Sequence, residues 1–253
     1  MRNLLTIHGF TGSGEDYKAL ARELGPERRV ITLDLPGHGR LTGLRTPDDY
    51  SLPAHLARIG TAAGESPVEV LGYSLGGRLA LHWALANPTR VTRLVLVGAS
   101  PGLRTERERR ERVLADVALG EFIRSQGVSA FMRYWHGQTM FQTLQDLPSG
   151  ELDALKKSRL ANDPEGLALS LSQVGAGALP SVWDRLHELK MPVDLVTGSR
   201  DEKFTTLARE MLALMPRARH GVVEGSGHAV HIERPADLAA AILARRDPSG
   251  ENR

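Results

Sequence analysis

The chain has 253 residues, 41% of them hydrophobic and 25% charged, which is enough for one sizeable core and short for two independent ones. A formal net charge of only +2 gives little support for a nucleic-acid partner, and none is expected. The lack of cysteine excludes disulfides, a thiol nucleophile and a thiolate metal site, while no apolar run approaches the roughly 20 residues that span a bilayer.

The N-terminus runs straight into a strand-like segment with no signal-peptide pattern, so the expected location is the cytoplasm, away from any membrane. Leu4 to His8 is a short apolar run ending in a glycine turn, and Tyr17 to Leu24 has helical apolar spacing. Val30 to Leu35 is a second run, closed by Pro36-Gly37-His38-Gly39. Val68 to Tyr73 is a third, followed by a Leu- and Ala-rich helix over Leu75 to Ala86, and Val91 to Val97 is a fourth. Runs apolar at nearly every position suit strands covered on both faces, and their alternation with helices predicts a doubly wound α/β fold. From Thr105 to about Trp183 only helical segments are predicted, opening with a capping box of Thr105 and Glu108. Breaks fall at Asp163-Pro164 and Pro180-Ser181. Val193 to Thr197 and Gly221 to Glu224 restore the strand signal, and a last helix is predicted from Pro235 to about Arg245. The expected organisation is a core in two parts, residues 1–102 and 186–246. A helical cap is inserted at 103–185, and a flexible tail occupies 247–253.

Gly72-Tyr73-Ser74-Leu75-Gly76-Gly77 matches G-x-S-x-G between a buried strand and a helix, the context in which that motif forms a strained turn bearing a nucleophile. Small residues two positions either side keep such a turn free of clashes, and the helix N-terminus favours negative charge. A serine hydroxyl needs a base, and the chain order for this turn is serine, acid, histidine. Asp201 follows a strand through Gly198-Ser199-Arg200, and His228 follows the next through Gly225-Ser226-Gly227. The expected triad is therefore Ser74, Asp201 and His228, with His231 as the competing base, better suited to a structural role. The expected oxyanion hole uses the backbone N–H groups of Leu75 and Phe10, the latter in the loop His8-Gly9-Phe10-Thr11-Gly12. His8 is expected to brace that loop, and Asp34 and His38 to shape a turn; no metal site and no cofactor are expected.

His-Gly-Phe, Asp-Leu-Pro-Gly-His-Gly, Gly-Tyr-Ser-Leu-Gly-Gly and Gly-Ser-Gly-His together resemble the α/β-hydrolase superfamily across nearly the whole chain. That resemblance implies an α/β-hydrolase fold: a mostly parallel sheet flanked by helices, with a helical cap inserted after the strand ending near Gly98. Relative to that pattern the chain starts at the strand bearing His-Gly-Phe, without the leading β-hairpin. Arg78, one helical turn after Ser74, opposes the helix dipole unless a carboxylate ligand or a cap acid offsets it. The chain further carries Pro101-Gly102-Leu103, Trp135 with Phe141 six positions on, Ser158-Arg159, Gly198-Ser199-Arg200-Asp201-Glu202-Lys203-Phe204 and His228-Ala-Val-His-Ile-Glu-Arg-Pro235. In this combination it resembles the 2-succinyl-6-hydroxy-2,4-cyclohexadiene-1-carboxylate synthases of menaquinone biosynthesis. The resemblance implies a lyase that eliminates pyruvate from a tricarboxylate substrate. It also implies carboxylate-binding arginines at Arg78, Arg112 and Arg159, and pocket residues at Tyr73, Trp135 and Phe141. His136 stands where that family is expected to carry tyrosine. A serine hydrolase acting on an ester or a carbon–carbon bond is the competing reading of the same triad, and a binding-only protein is a third. The arginine set separates the first two, because a neutral ester has no use for buried cations.

Overall fold

The computed structural model describes residues 2–244; the expected tail at 247–253 and the end of the last predicted helix lie outside them. Six strands, β1 (Arg2–Ile7), β2 (Arg28–Leu33), β3 (Val68–Tyr73), β4 (Val91–Val97), β5 (Val193–Gly198) and β6 (Ala218–Val223), form one parallel sheet. Their order is β2-β1-β3-β4-β5-β6. The chain first moves outward from β1 to β2, then crosses back over β1 to β3. That reversal places the carboxyl ends of β1 and β3 side by side at the switch point where open α/β sheets bind ligands.

Successive side chains of a strand point to opposite faces, so each central strand feeds two cores. Leu5, Val70, Leu94 and Leu96 pack on one side with helices α2 (Leu52–Ala63) and α3 (Leu75–Ala86). Leu4, Leu71, Val95 and Val97 pack on the other with α1 (Lys18–Leu24) and α9 (Pro235–Leu243). β3 and β5 are buried at every position, and the two charges they carry, Glu69 and Asp194, are paired with Arg28 and Arg93. Strands β1, β2 and β6 begin before their apolar runs, at Arg2, Arg28 and Ala218, because ladder pairing needs only backbone groups. At the start of β2 the polar residues are absorbed by an ion pair from Arg28 to the buried carboxylate of Glu69.

Between β4 and β5 the described structure is helical: α4 (Glu106–His136), a 3-10 segment (Thr139–Asp146), α5 (Ser149–Leu160) and α6 (Pro164–Val174). The predicted capping box opens α4: the Thr105 hydroxyl accepts from Glu108 N–H, and the Glu108 carboxylate accepts from Thr105 N–H. The helix continues to His136, broken at Gly127, which adopts φ +76. Ile123, Phe131, Leu167 and Leu171 join α4 to α6 in a small core of their own. Two helices lie beyond the sequence expectations, α2 and α7 (Glu202–Leu212), and each is started by a side-chain cap, from Ser51 and Asp201. A single turn, α8 (Val230–Glu233), precedes α9. Among the described residues no helix is long and apolar enough to cross a membrane.

Candidate active site

Ser74 occupies the turn between β3 and α3 with φ +51 and ψ −111, a conformation costly for any residue with a Cβ. Its N–H is tied to the Val97 carbonyl at 3.0 Å. The neighbouring glycines make the turn possible. A Cβ on Gly72 would strike the Gly76 carbonyl, one on Gly76 would strike the carbonyls of Ile7 and His8, and one on Gly77 would strike Ala99.

Asp201 and His228 leave the ends of β5 and β6 and meet Ser74 from the other side. Nδ1 of His228 lies 2.6 Å from Oδ2 of Asp201, and Nε2 lies 3.2 Å from Oγ of Ser74. The carboxylate can only accept, so Nδ1 carries the proton and Nε2 is left as the acceptor facing the serine. The other Asp201 oxygen accepts from Phe204 N–H at 3.3 Å as the cap of α7, which fixes the carboxylate. Phe204 lays its ring 4.4 Å from that of His228, and Gly98, at φ +53, leaves room for the imidazole. Glu233 fastens the loop carrying His228: its carboxylate accepts from Gly227 N–H (2.6 Å), Ala229 N–H (3.0 Å) and the Ser226 hydroxyl (3.2 Å). Sequence reading assigned no role to Glu233 or Phe204. Both sit in the runs flanking the triad, but nothing local shows where a side chain folds back.

Leu75 is the first residue of α3, so its N–H has no partner within the helix. Phe10 lies in the turn closed by Gly12 N–H donating to Gly9 C=O at 3.0 Å, with Thr11 at φ +67. His8 is fully buried, accepts from Leu35 N–H at Nε2 (3.0 Å) and therefore donates from Nδ1 to Gly9 C=O (2.8 Å). Burial lowers its pKa and keeps it neutral, the brace that the sequence suggested. Asp34 accepts from Gly14 and Arg40 N–H groups and shapes its turn. His231 is buried with no hydrogen bond at either nitrogen, its pKa pushed down to about 3 by burial. Among the described residues no group of three or more His, Asp or Glu side chains could hold a metal ion.

Ser74 opens on a cavity of about 1000 Å3 between sheet and helical insertion. Phe10, Trp135 and Phe141 form a continuous aromatic wall, with ring centroids 5.5–5.6 Å apart, and Phe141 reaches His228 at 5.9 Å. Arg78 and Arg112 also reach the wall. Nη1 of Arg78 is buried without a hydrogen-bond partner. Burial, aided by Arg112 and opposed by Asp116, pushes the Arg78 pKa down to about 10. Arg112 is half-exposed and bound to Asp116 at 2.7 Å. Arg104, Lys203 and Glu210 line the cavity as well, unforeseen by the sequence reading, with Arg104 stacked on Trp183 and paired to Glu210.

Two residues named from the resemblance are not among those lining the cavity. Arg159 is buried, and both of its terminal nitrogens are held by Asp16 in a bidentate pair with both contacts at 2.8 Å. Burial raises the Asp16 carboxyl, but the charge and the hydrogen bonds of Arg159, with His231 and His8, together bring its pKa below the usual carboxylate value. Tyr73 stacks its ring between His228 (5.1 Å) and His231 (4.3 Å), and burial raises its phenol pKa well above the usual value. His136 sits beside Phe141, its pKa lowered to about 4 by burial and then by Arg159 and Lys156.

The profile of the alpha/beta hydrolase fold matches residues 2–235. A Bacillus subtilis (strain 168) protein named as a candidate 2-succinyl-6-hydroxy-2,4-cyclohexadiene-1-carboxylate synthase is 38% identical over 235 residues, covering 92% of this chain and 85% of its own. The 2-succinyl-6-hydroxy-2,4-cyclohexadiene-1-carboxylate synthase of Enterobacter sp. (strain 638) is 30% identical over 94% of this chain and 89% of its own. Among solved structures, MenH from S. aureus superposes with a TM-score of 0.88 at 30% identity, covering 96% of this chain and 92% of that one. An esterase from Exiguobacterium antarcticum, at 17% identity and a TM-score of 0.77, shares the fold alone. The chain belongs to the alpha/beta hydrolase fold family and, within it, to the 2-succinyl-6-hydroxy-2,4-cyclohexadiene-1-carboxylate synthases.

Proposed function

We propose that the protein is a lyase that eliminates pyruvate from 2-succinyl-5-enolpyruvyl-6-hydroxy-3-cyclohexene-1-carboxylate. The observation that carries this reading is a guanidinium, Arg78, with a buried, unpartnered nitrogen on the wall of the cavity that holds Ser74. A polycarboxylate substrate gives that nitrogen the partner it lacks, and arginine's planar fork suits a carboxylate. Arg112 supplies a second cation on the same wall. Trp135 and Phe141 cover the ring of the substrate.

The bond changes follow from the two compounds. The ring proton at C2, next to the succinyl ketone, is removed and a double bond forms between C2 and C3, while the 3-ene pair shifts to the 4-position and the carbon–oxygen bond at C5 to the enolpyruvyl group breaks, which gives the 2,4-diene. The enolpyruvate that departs is protonated on carbon and becomes pyruvate. In this chain Ser74 Oγ takes the ring proton and passes its own to Nε2 of His228, and Asp201 stabilises the imidazolium that forms. Negative charge gathers on the ketone oxygen, where the N–H groups of Phe10 and Leu75 act as donors. No covalent intermediate is needed. The helical segment over residues 103–185 acts as the cap that keeps water from the dienolate.

The test is pyruvate release from freshly prepared substrate, against its spontaneous rate, with Ser74→Ala and Arg78→Met alongside. Release well above background, reduced by both substitutions, is the expected result. Background release together with Ser74-dependent cleavage of p-nitrophenyl esters would replace the lyase with a hydrolase using the same triad.

A further inference from the structure

The loop that carries the Phe10 N–H is not held by the core alone. Asn162, between α5 and α6 of the helical insertion, is buried and donates from Nδ2 to the Thr11 carbonyl at 2.8 Å and to the Arg159 carbonyl at 3.0 Å. Both partners are acceptors, so the amide is oriented without ambiguity. In a trans peptide the C=O and N–H point in opposite directions, and anchoring one aims the other. Thr11 C=O shares a peptide plane with Gly12 N–H, which donates to Gly9 C=O at 3.0 Å. Gly9 C=O shares the next plane with Phe10 N–H. It is gripped a second time by Nδ1 of His8 at 2.8 Å.

We propose that Asn162 is a positioning residue for the oxyanion hole. Through two peptide planes in series it aims the Phe10 N–H at the site where negative charge develops, so that the donor is set only when the helical insertion is seated on the core. The proposal rests on the role given above to Phe10. Thr11 supports it independently. A β-branched residue at φ +67 is unfavourable and persists only where its surroundings impose it, and Asn162 holds its carbonyl. The same strip of the insertion is seated by the Arg159–Asp16 pair, whose acid also accepts from Ser13 N–H at 3.2 Å. Arg159 thus serves the loop through Asp16. Chains of hydrogen bonds polarise one another, which strengthens the terminal donor as well as directing it.

The test compares wild type with Asn162→Ala and with the isosteric Asn162→Asp, which puts a carboxylate against the Thr11 carbonyl. Pyruvate release and p-nitrophenyl acetate hydrolysis are both measured, with thermal melting and a crystal structure of Asn162→Ala. The expected result is a tenfold to hundredfold fall in kcat with KM within threefold, on whichever reaction the wild type performs. It stays below the loss from removing an oxyanion donor outright, about 100- to 1000-fold. Thr11 is expected to leave the left-handed region in the variant structure. If wild type releases pyruvate only at background, the lyase reading falls and the ester reaction carries the comparison; if it performs neither reaction, the variant structure decides. A folded variant with unchanged kcat, a rise in KM alone, or a Gly9–Phe10 peptide unmoved with Thr11 still near φ +67 would each overturn the proposal.

Discussion

Replacing Arg78 by methionine keeps an unbranched side chain of similar volume and removes its charge. Arg78 lies in the first turn of α3, where a cation costs about 0.3–1 kcal/mol against the helix dipole. Its Nη1 has no hydrogen-bond partner, and leaving such a group buried costs about 1–3 kcal/mol. Both penalties vanish in Arg78→Met, which is expected to melt at or above the wild-type temperature. A charge-assisted hydrogen bond to a substrate carboxylate is worth about 1.5–3 kcal/mol. Its loss is expected to lower kcat/KM for pyruvate release roughly 10- to 150-fold, with Arg78→Lys intermediate, because a point charge replaces the fork. Steady-state kinetics and a thermal melt on the same preparation test both halves. A variant that keeps kcat/KM within threefold, or that loses stability by several degrees, would refute the reasoning, since Arg78 would then be a structural cation with a partner.

Two further outcomes follow from the elbow and from the buried histidine. Ser74→Gly is expected to abolish turnover and raise stability. Glycine adopts φ +51 freely, and the strain released, about 1–3 kcal/mol, exceeds glycine's entropic cost of roughly 0.5–1 kcal/mol. A gain of about 1 kcal/mol in a domain of this size moves Tm by roughly 2–4 °C, and a lower Tm would count against strain at the elbow. For His231, burial lowers the folded pKa from 6.5 to about 3, so between those values the unfolded chain holds a proton that the folded one does not. Stability therefore rises with pH across that window, by up to about 1.4 kcal/mol per pH unit. His231→Phe is expected to flatten the urea-denaturation profile between pH 4.5 and 6.5 by nearly that slope, and parallel profiles would refute it.

The chain itself determined whatever is local or periodic. Largely apolar runs announced β3, β4 and β5, because a strand covered on both faces tolerates few polar side chains. Gly72, Gly76 and Gly77 announced the turn at Ser74, because no Cβ fits there. Spacing after two successive strands was enough to pick Asp201 and His228, since the ends of adjacent parallel strands lie side by side. The position of Arg78 was equally legible, one helical turn from Ser74. The tertiary structure alone decided contacts whose partners lie far apart in the sequence. Arg159 reads as a free cation in its own helix, yet its partner Asp16 stands 143 positions away. Asn162 looks like an ordinary helix-connecting residue, yet it grips the Thr11 carbonyl 151 positions back. Glu233 looks like a surface acid before a proline, yet it turns back on the backbone flanking His228. Sequence pattern encodes which face of an element is apolar, while the seating of one layer on another fixes which polar groups meet. In this protein that seating joins the helical insertion to the loop bearing Phe10.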